Sequence, residues 1–88
     1  MAHALPPMFC HVYKSRKRPG TYVYLAEEDG FSALPGVLLE TLGSLEQVMA
    51  LELSPQRRLA RVEAASVIAA LQARGYYLQL PPAEFEPA

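Results

Sequence analysis

Apolar residues recur at helical spacing before Arg74 and then alternate with less apolar residues from Tyr76 to Leu80. Gly75 directly follows a cation, an arrangement in which a left-handed glycine commonly ends a helix. The pattern therefore predicts an amphipathic helix over residues 62–74, followed at once by a strand over residues 76–80. The arc that the helical spacing assigns to the core contains Ala60, Ala64, Val67, Ile68, Leu71 and Gly75.

Three earlier segments have the length and residue types of strands, namely residues 8–14, 21–26 and 46–53. The first two are joined by SRKRPG, whose Pro and Gly predict an antiparallel hairpin with a cationic tip. The third, EQVMALEL, is nearly apolar on both sides through its middle. That composition is typical of a strand with neighbours on both sides, so we expect residues 46–53 to be central in the sheet.

A short helix is predicted between the second and third strands. Pro35 fits its first helical position and Gly43 fits its end, while Gly36 should weaken it by up to about 1 kcal/mol relative to alanine. The element order is then β-β-α-β-α-β, which predicts an α+β fold with helices packed on a sheet of about four strands. The apolar residues that repeat at helical spacing in this segment are Phe31, Leu34, Val37, Leu38 and Leu42.

Length and composition limit the class of protein. A chain of 88 residues suffices for one core, which we assign to residues 8–82, between a lead-in at 1–7 and a proline-rich tail at 83–88. With 51% apolar residues, 19% charged residues and a net charge of -1, the chain is typical of a globular protein. The single Cys10 excludes an internal disulfide, and the chain has neither a signal-peptide pattern nor an apolar run of membrane-spanning length. We therefore expect a cytoplasmic protein without membrane association.

Most cations lie in two clusters, one in the hairpin and one before the main helix. If the sheet brings both clusters to one edge, they form a basic patch that contacts several phosphates, and Tyr22 and Tyr24 can stack on unpaired bases. About four phosphate contacts would give log affinity a slope of about -3 to -4 against log salt. The alternative is that the loops are solvated and the tyrosines pack across strands. The clustered cations are Lys14, Arg16, Lys17, Arg18, Arg57, Arg58 and Arg61.

No residue pattern indicates catalysis. Cys10 and His11 are adjacent in a strand, so they point to opposite sides and cannot act together as nucleophile and base. Ser15 lies between two cations and can either hold a phosphate or serve as a turn residue. The chain has no glycine-rich phosphate loop and no residues at metal-ligand spacing. We therefore predict that the protein is not an enzyme and uses no cofactor, metal or small-molecule substrate.

Several segments together resemble the YcgL family of small gammaproteobacterial proteins, namely CHVYKSRKRPGTYVYL, FSALPGVLLETLG, VMALEL, RRLA and GYYLQLPP. The similarity runs from about Cys10 to Pro82, and its most specific parts are C-x-V-Y-[KR]-S-x-[KR]-[KR] and G-[FY]-Y-L-Q-L-P-P. Members of this family are α/β/α sandwiches of uncharacterised function, so the resemblance implies helices on both sides of the sheet. It also implies a genomic association with ribonuclease D, and hence RNA or a ribonuclease as a partner.

Two functions follow as hypotheses. The first is a non-catalytic cytoplasmic adaptor that binds RNA or an RNA-processing partner through the basic patch. The alternative is a protein–protein interaction module without nucleic acid. That module would use either the alanine-rich back of helix 62–74 or the edge of the C-terminal strand near Tyr77 and Pro81.

Overall fold

Four antiparallel strands and two helices build the fold, and the computed structural model describes residues 8–56 and 63–81. This element order confirms the predicted β-β-α-β-α-β arrangement and the α+β class. One 3-10 turn, Phe31–Ala33, precedes the first helix. The strands are β1 (Met8–Ser15), β2 (Tyr22–Leu25), β3 (Leu45–Leu53) and β4 (Tyr76–Gln79), and the helices are α1 (Gly36–Leu42) and α2 (Ala64–Arg74).

The strand order in the sheet is β3-β1-β2-β4. Strand β1 pairs antiparallel with both β2 and β3, and β4 pairs antiparallel with β2. The chain must therefore cross the sheet twice, from β2 to β3 through α1 and from β3 to β4 through α2. The two helices cover opposite sides, because neighbouring residues of β1 enter different cores: Val12 packs with α2, and Tyr13 packs with the end of α1. We call these sides the α2 face and the α1 face.

The α2 face is held by the predicted helical stripe. Val67 and Ile68 are fully buried there against Cys10 of the sheet. Gly75 ends the helix with φ 86°, and its N–H donates to the Leu71 carbonyl at 2.9 Å. Each buried aliphatic side chain of this helix contributes roughly 1.5 to 3 kcal/mol, which a helix of this length needs in order to persist.

The α1 face is covered by a shorter helix, in which Pro35 does not take the predicted first position. Val37 shares the helical spacing of its apolar neighbours, but it is 77% exposed. Helix α1 begins only at Gly36, with Pro35 as its N-cap, so the helix has two turns and can turn only one narrow side inward. Leu38 and Leu42 occupy that side.

The prediction that residues 46–53 form a central strand is also wrong, because β3 lies at the edge of the sheet. Val48 and Met49 are 40% and 53% exposed, whereas Leu53 at the end of the strand is fully buried. The register of β1 against β3 shifts after Val12, so Val48 has no directly opposite residue. The cores therefore cover only the two ends of this apolar strand and leave its middle exposed, and the central positions belong to β1 and β2.

Some predictions fall on residues outside the described ranges. These are the lead-in at 1–7, the tail at 83–88, and the cations Arg57, Arg58 and Arg61. Within the described ranges, no helix is both long and apolar enough to cross a lipid bilayer.

Candidate binding site

The hairpin loop is anchored by Ser15, whose hydroxyl is buried. This hydroxyl donates to the Leu42 carbonyl at 2.6 Å and accepts from the Arg18 N–H at 2.9 Å. The loop is thereby tied to the end of α1, and the Thr21 N–H closes it by donating to the Arg18 carbonyl at 3.1 Å. Of the two predicted roles for Ser15, the structure supports the turn residue, because its hydroxyl is already engaged on both sides.

The four cations of the hairpin divide into two pairs. Lys14 and Arg16 lie beside Glu46 of β3, with their side-chain nitrogens 3.9 Å and 3.2 Å from Glu46 Oε1. All three side chains are about half exposed or more, so these ion pairs add little to stability. They do, however, partly neutralise two of the four hairpin cations that were predicted to bind nucleic acid.

Lys17 and Arg18 project to the α1 face instead. No carboxylate pairs with either side chain among the residues that the structure describes. Gly43 ends α1 at φ 66°, and a Cβ at this glycine would lie only 3.2 Å from Lys17 Cβ. The missing side chain therefore lets the alkyl part of Lys17 pack across the end of the helix. Its ammonium group is left for another partner.

These two cations border an open groove of about 580 Å³ between the hairpin loop, α1 and the end of β4. We call it the tip groove and call Lys17 and Arg18 its cationic rim. Leu80, in its lining, is 65% exposed. The groove thus combines uncovered apolar surface with two positive charges. The apolar residues that line it are Pro19, Leu38, Leu42, Leu78, Leu80 and Pro81.

Gly20 brings the C-terminal segment to this groove. It adopts φ 88°, and a Cβ there would lie 2.9 Å from Pro81 Cβ. Only glycine combines that left-handed conformation with so close an approach. Pro81, two residues beyond β4, is consequently held against the hairpin loop.

The tyrosines proposed for base stacking lie on the other side of the sheet. Tyr24 is only 8% exposed, its hydroxyl donates to Gln79 Oε1 at 2.8 Å, and its ring meets Tyr77 edge-on with centroids 5.9 Å apart. Tyr22 is partly buried against the α2-face core. This corrects the expectation for Tyr24, which is a core residue with no ring face open to a base. Tyr24 packs across strands against Tyr77, as in the alternative interpretation.

The second predicted basic cluster, Arg57, Arg58 and Arg61, lies outside the described ranges. The strand that leads to it does have a definite direction. Leu53 lies opposite Met8, whereas Ser15, at the hairpin loop, lies opposite Leu45. The two ends of β1 are about 23 Å apart at the usual rise per residue. Strand β3 therefore ends far from the tip groove, and the single basic patch stays a prediction.

At the opposite end of the sheet, Tyr13 holds the acidic turn at 27–30. Its hydroxyl donates to Asp29 Oδ1 at 3.2 Å and accepts from the Asp29 N–H at 2.7 Å. Burial raises the pKa of the Tyr13 hydroxyl above 10.0, and the carboxylates of Asp29 and Glu28 add to the rise. A shallow depression of about 360 Å³ lies beside this turn. Arg74 is the one cation among the described residues that line this depression, and it already stacks over the Tyr76 ring at 5.0 Å. The depression is therefore a weaker site for a charged ligand than the tip groove.

The residues with the most reactive side chains do not converge. Cys10 is fully buried under α2, while His11 lies on the α1 face within 3.2 Å of the Gln47 amide nitrogen. Their separation onto opposite sides agrees with the strand alternation. In the part of the chain that the structure describes, no three His, Cys, Asp or Glu side chains are grouped so as to hold a metal ion.

The cationic rim of the tip groove was predicted as a binding site, but its apolar floor was not. Leu38 and Leu80 belonged only to the apolar patterns of a helix and a strand, yet they line the groove. The available signal was Leu80, an apolar residue that follows the last polar position of β4 and precedes Pro81. Pro81 ends the hydrogen-bonded pairing of β4, because proline has no backbone N–H to donate. An apolar side chain at position 80 therefore has no residue of a neighbouring strand to cover it.

Two relatives are similar to this chain over nearly their whole lengths. A YcgL domain-containing protein of Thioalkalivibrio sulfidiphilus is 44% identical over 80 residues, which cover 91% of this chain and 99% of that protein. Another, of Stenotrophomonas maltophilia, is 48% identical over 75 residues, which cover 85% of this chain and 87% of that protein. Neither name indicates a catalytic activity.

A third relative is much longer. A Nitrosococcus oceani protein named "Putative HAD-like hydrolase" is 46% identical over 76 residues, which cover 86% of this chain but 20% of that protein. The family model described as the YcgL domain matches residues 10–82. The similarity thus includes the hairpin, both helices and the residues that border the tip groove, and the chain belongs to the YcgL family.

Proposed function

We propose that this protein is a non-catalytic interaction module whose tip groove binds an acidic, partly apolar segment of a partner protein. The observation that carries the proposal is the position of Lys17 and Arg18, which border exposed apolar surface and have no carboxylate partner among the described side chains. Opposite charges across an interface guide association and fix register, while apolar contact supplies most of the affinity. The groove offers both.

A peptide fits these features better than RNA does. Lys14 and Arg16 share Glu46, and Tyr24 is buried, which leaves the cationic rim as the main positive feature near the loop. Two cations with no aromatic ring among the described residues that line the groove make a weak site for single-stranded RNA, which depends on many phosphates and on stacking. This favours the protein–protein hypothesis, located at the end of the C-terminal strand.

The Nitrosococcus oceani relative supports an accessory role. A segment similar to this chain makes up 20% of a protein whose name describes a hydrolase. A small domain that occurs both alone and as a minor part of a longer protein is typical of a module that binds and positions another molecule. Such a module does not itself catalyse a reaction. In so small a fold, an open groove is also a more natural site than a deep catalytic pocket.

Fluorescence anisotropy with defined probes tests the proposal. The probes are a labelled peptide with the sequence PAEFEPA, its charge-reversed form PAKFKPA and a single-stranded ten-nucleotide oligouridylate. We expect the acidic peptide to bind at least tenfold more tightly than the other two, and its affinity to fall as salt rises. Tighter binding of the oligouridylate would favour the RNA hypothesis, and equal binding of both peptides would contradict the proposal.

Single charge reversals provide the control. Lys17→Glu and Arg18→Glu should each weaken binding of the acidic peptide at least fivefold. Arg74→Glu makes the same charge change on an exposed residue at the far end of α2 and should leave the affinity within twofold of the wild type. If all three variants weaken binding equally, net charge rather than the groove is responsible.

A further inference from the structure

We propose that β3 is a dimerisation edge, at which the β3 strand of a second copy of this chain pairs antiparallel and joins the two sheets into one. This dimer does not depend on the proposed function, because no residue of β3 lines the tip groove. Among the described strands, β3 (Leu45–Leu53) pairs only with β1 and forms one edge of the sheet. About half of the backbone N–H and C=O groups of an edge strand point away from its neighbour. Another strand is the partner that bonds to them as a continuous row.

The two edges of the sheet differ in their protection against pairing. Strand β4, at the other edge, has four residues and is followed closely by Pro81, which has no N–H to donate. Strand β3 has nine residues and contains neither proline nor lysine, which commonly block an edge strand. Pairing of β3 with β3 therefore uses the open edge of both copies and leaves only the β4 edges outside. Such an interface closes after two copies instead of forming a fibre.

The middle of β3 is apolar and uncovered. Val48 and Met49 are 40% and 53% exposed, and Phe9 of the neighbouring strand is 56% exposed. No charged residue lies between Glu46 and Glu52. A two-fold axis near Val48 sets the apolar middle of one copy against that of the other. Removal of this surface from water adds to the stability that the backbone hydrogen bonds provide.

A second copy suits this edge better than an unrelated straight strand does. The register of β1 against β3 shifts between Val12 and Tyr13, which leaves one extra residue, Val48, in β3. Such a bulge increases the local twist of a strand. Two copies of β3 have the same twist, so they stay aligned through the middle of the pair, whereas a straight strand diverges from the bulged one.

The charges at the two ends of β3 favour an antiparallel pair. Antiparallel pairing brings Glu52 of each copy towards Glu46 of the other. Lys14 and Arg16 lie 3.9 Å and 3.2 Å from Glu46 Oε1, so these three side chains together carry a net positive charge. Each Glu52 therefore approaches a cationic end of the other strand. A parallel pair would instead place like charges opposite each other, which is destabilising.

The size of the contact sets the strength of the dimer. Two strands of nine residues pair over about 30 Å. An interface built mainly on one pair of edge strands lies below about 1,200 Å² in total, a size typical of weak and transient association. We therefore expect a reversible dimer that dissociates on dilution.

Sedimentation equilibrium of the full chain tests the dimer. Between about 10 µM and about 1 mM, the mean mass should rise from that of the monomer towards twice that value. Val48→Lys places two cations near the two-fold axis and should weaken the dimer about tenfold or more. Val37→Lys makes the same change at an exposed residue of α1 and should leave the dissociation constant within twofold of the wild type. If both variants weaken the dimer equally, net charge is responsible and the proposal is wrong.

A mixture of isotope-labelled and unlabelled wild type locates the contact without any substitution. Isotope-filtered nuclear Overhauser effects should connect the methyl groups of Val48 and Met49 in one copy with β3 of the other. A monomer at all concentrations overturns the proposal, and so does a dimer whose Overhauser effects between copies involve α1 or α2 instead. An extended peptide of alternating threonine and valine serves as the unrelated strand. If this peptide shifts the β3 amides while the chain stays monomeric, the edge accepts strands of other proteins and self-pairing is excluded.

Discussion

Tyr13 connects the core of the α1 face with the acidic turn. Its ring is buried and meets Phe31 edge-on with centroids 5.0 Å apart, while its hydroxyl bonds to Asp29 in both directions. Asp29 adopts φ 57°, which is uncommon for a residue other than glycine and costs free energy. The phenol thus compensates for a strained residue in a turn.

Tyr13→Phe should lower the free energy of unfolding by about 1 to 2 kcal/mol, because it removes two hydrogen bonds and leaves the Asp29 N–H without its acceptor. Urea denaturation measures the change. Tyr22→Phe is the matched control, since no partner of the Tyr22 hydroxyl occurs within the described ranges, and it should change stability by less than about 0.5 kcal/mol. Equal effects of the two substitutions would show that the Asp29 contacts contribute nothing.

The same hydroxyl predicts a dependence on alkaline pH. The folded state raises the pKa of Tyr13 above 10.0, so between the unfolded and folded pKa values the native protein keeps a proton that the unfolded chain has lost. The contribution of this group to stability is therefore full below pH 10 and disappears as pH rises through the folded pKa. The stability difference between wild type and Tyr13→Phe should shrink above pH 10 in urea titrations. A difference that stays constant to pH 11.5 would contradict the raised pKa.

Among the secondary structure elements, α2 carries the clearest stability prediction. Leu71→Asp places a carboxylate where the side chain is 3% exposed, and burial of an unpaired charge costs several kcal/mol, comparable to the whole stability of a small domain. We expect no cooperative thermal transition by circular dichroism. Gln72→Asp, at the exposed neighbouring position, should melt like the wild type. A native-like melt of the Leu71 variant would show that α2 does not hold the sheet.

Two glycines in different elements should respond in opposite directions to alanine. Gly20→Ala places a Cβ 2.9 Å from Pro81 at φ 88°, and should lower the free energy of unfolding by about 1 to 3 kcal/mol. Gly36 lies in the first turn of α1, where no described atom lies within 4 Å of an added Cβ, so Gly36→Ala should raise stability by up to about 1 kcal/mol. Urea denaturation of both variants checks the signs. A stabilising Gly20→Ala would mean that Pro81 is not held against the loop.

Local patterns predicted the elements well, because each depends on neighbouring residues. The predicted strand at 76–80 is β4 at Tyr76–Gln79, and Gly75 and Gly43 end the two helices as expected. The strand order was not predictable in the same way. An apolar run such as that of β3 shows that a strand can be buried on both sides, but which strands flank it depends on the crossings through α1 and α2.

At the scale of the whole molecule, the sheet separates the charges that the sequence places together. Lys14 and Arg16 meet Glu46, while Lys17 and Arg18 face the tip groove. Strand alternation alone could have predicted that Lys14 and Arg16 lie on the same side of the hairpin. The position of Lys17 and Arg18 could not be predicted in this way, because the groove forms only where three distant segments meet: the hairpin loop, α1 and the end of β4. No local pattern links Leu38 with Leu80.

The central claim is that the tip groove is the binding surface of this protein. The most direct measurement is a titration of the isotopically labelled full chain with the PAEFEPA peptide, followed by backbone amide and methyl chemical shifts. We expect the largest changes at Arg18, Leu38 and Leu80, and no change on the exposed side of α2, at Ala69 and Ala73. Changes concentrated on that side of α2, or no changes at a large excess of peptide, would contradict the central claim.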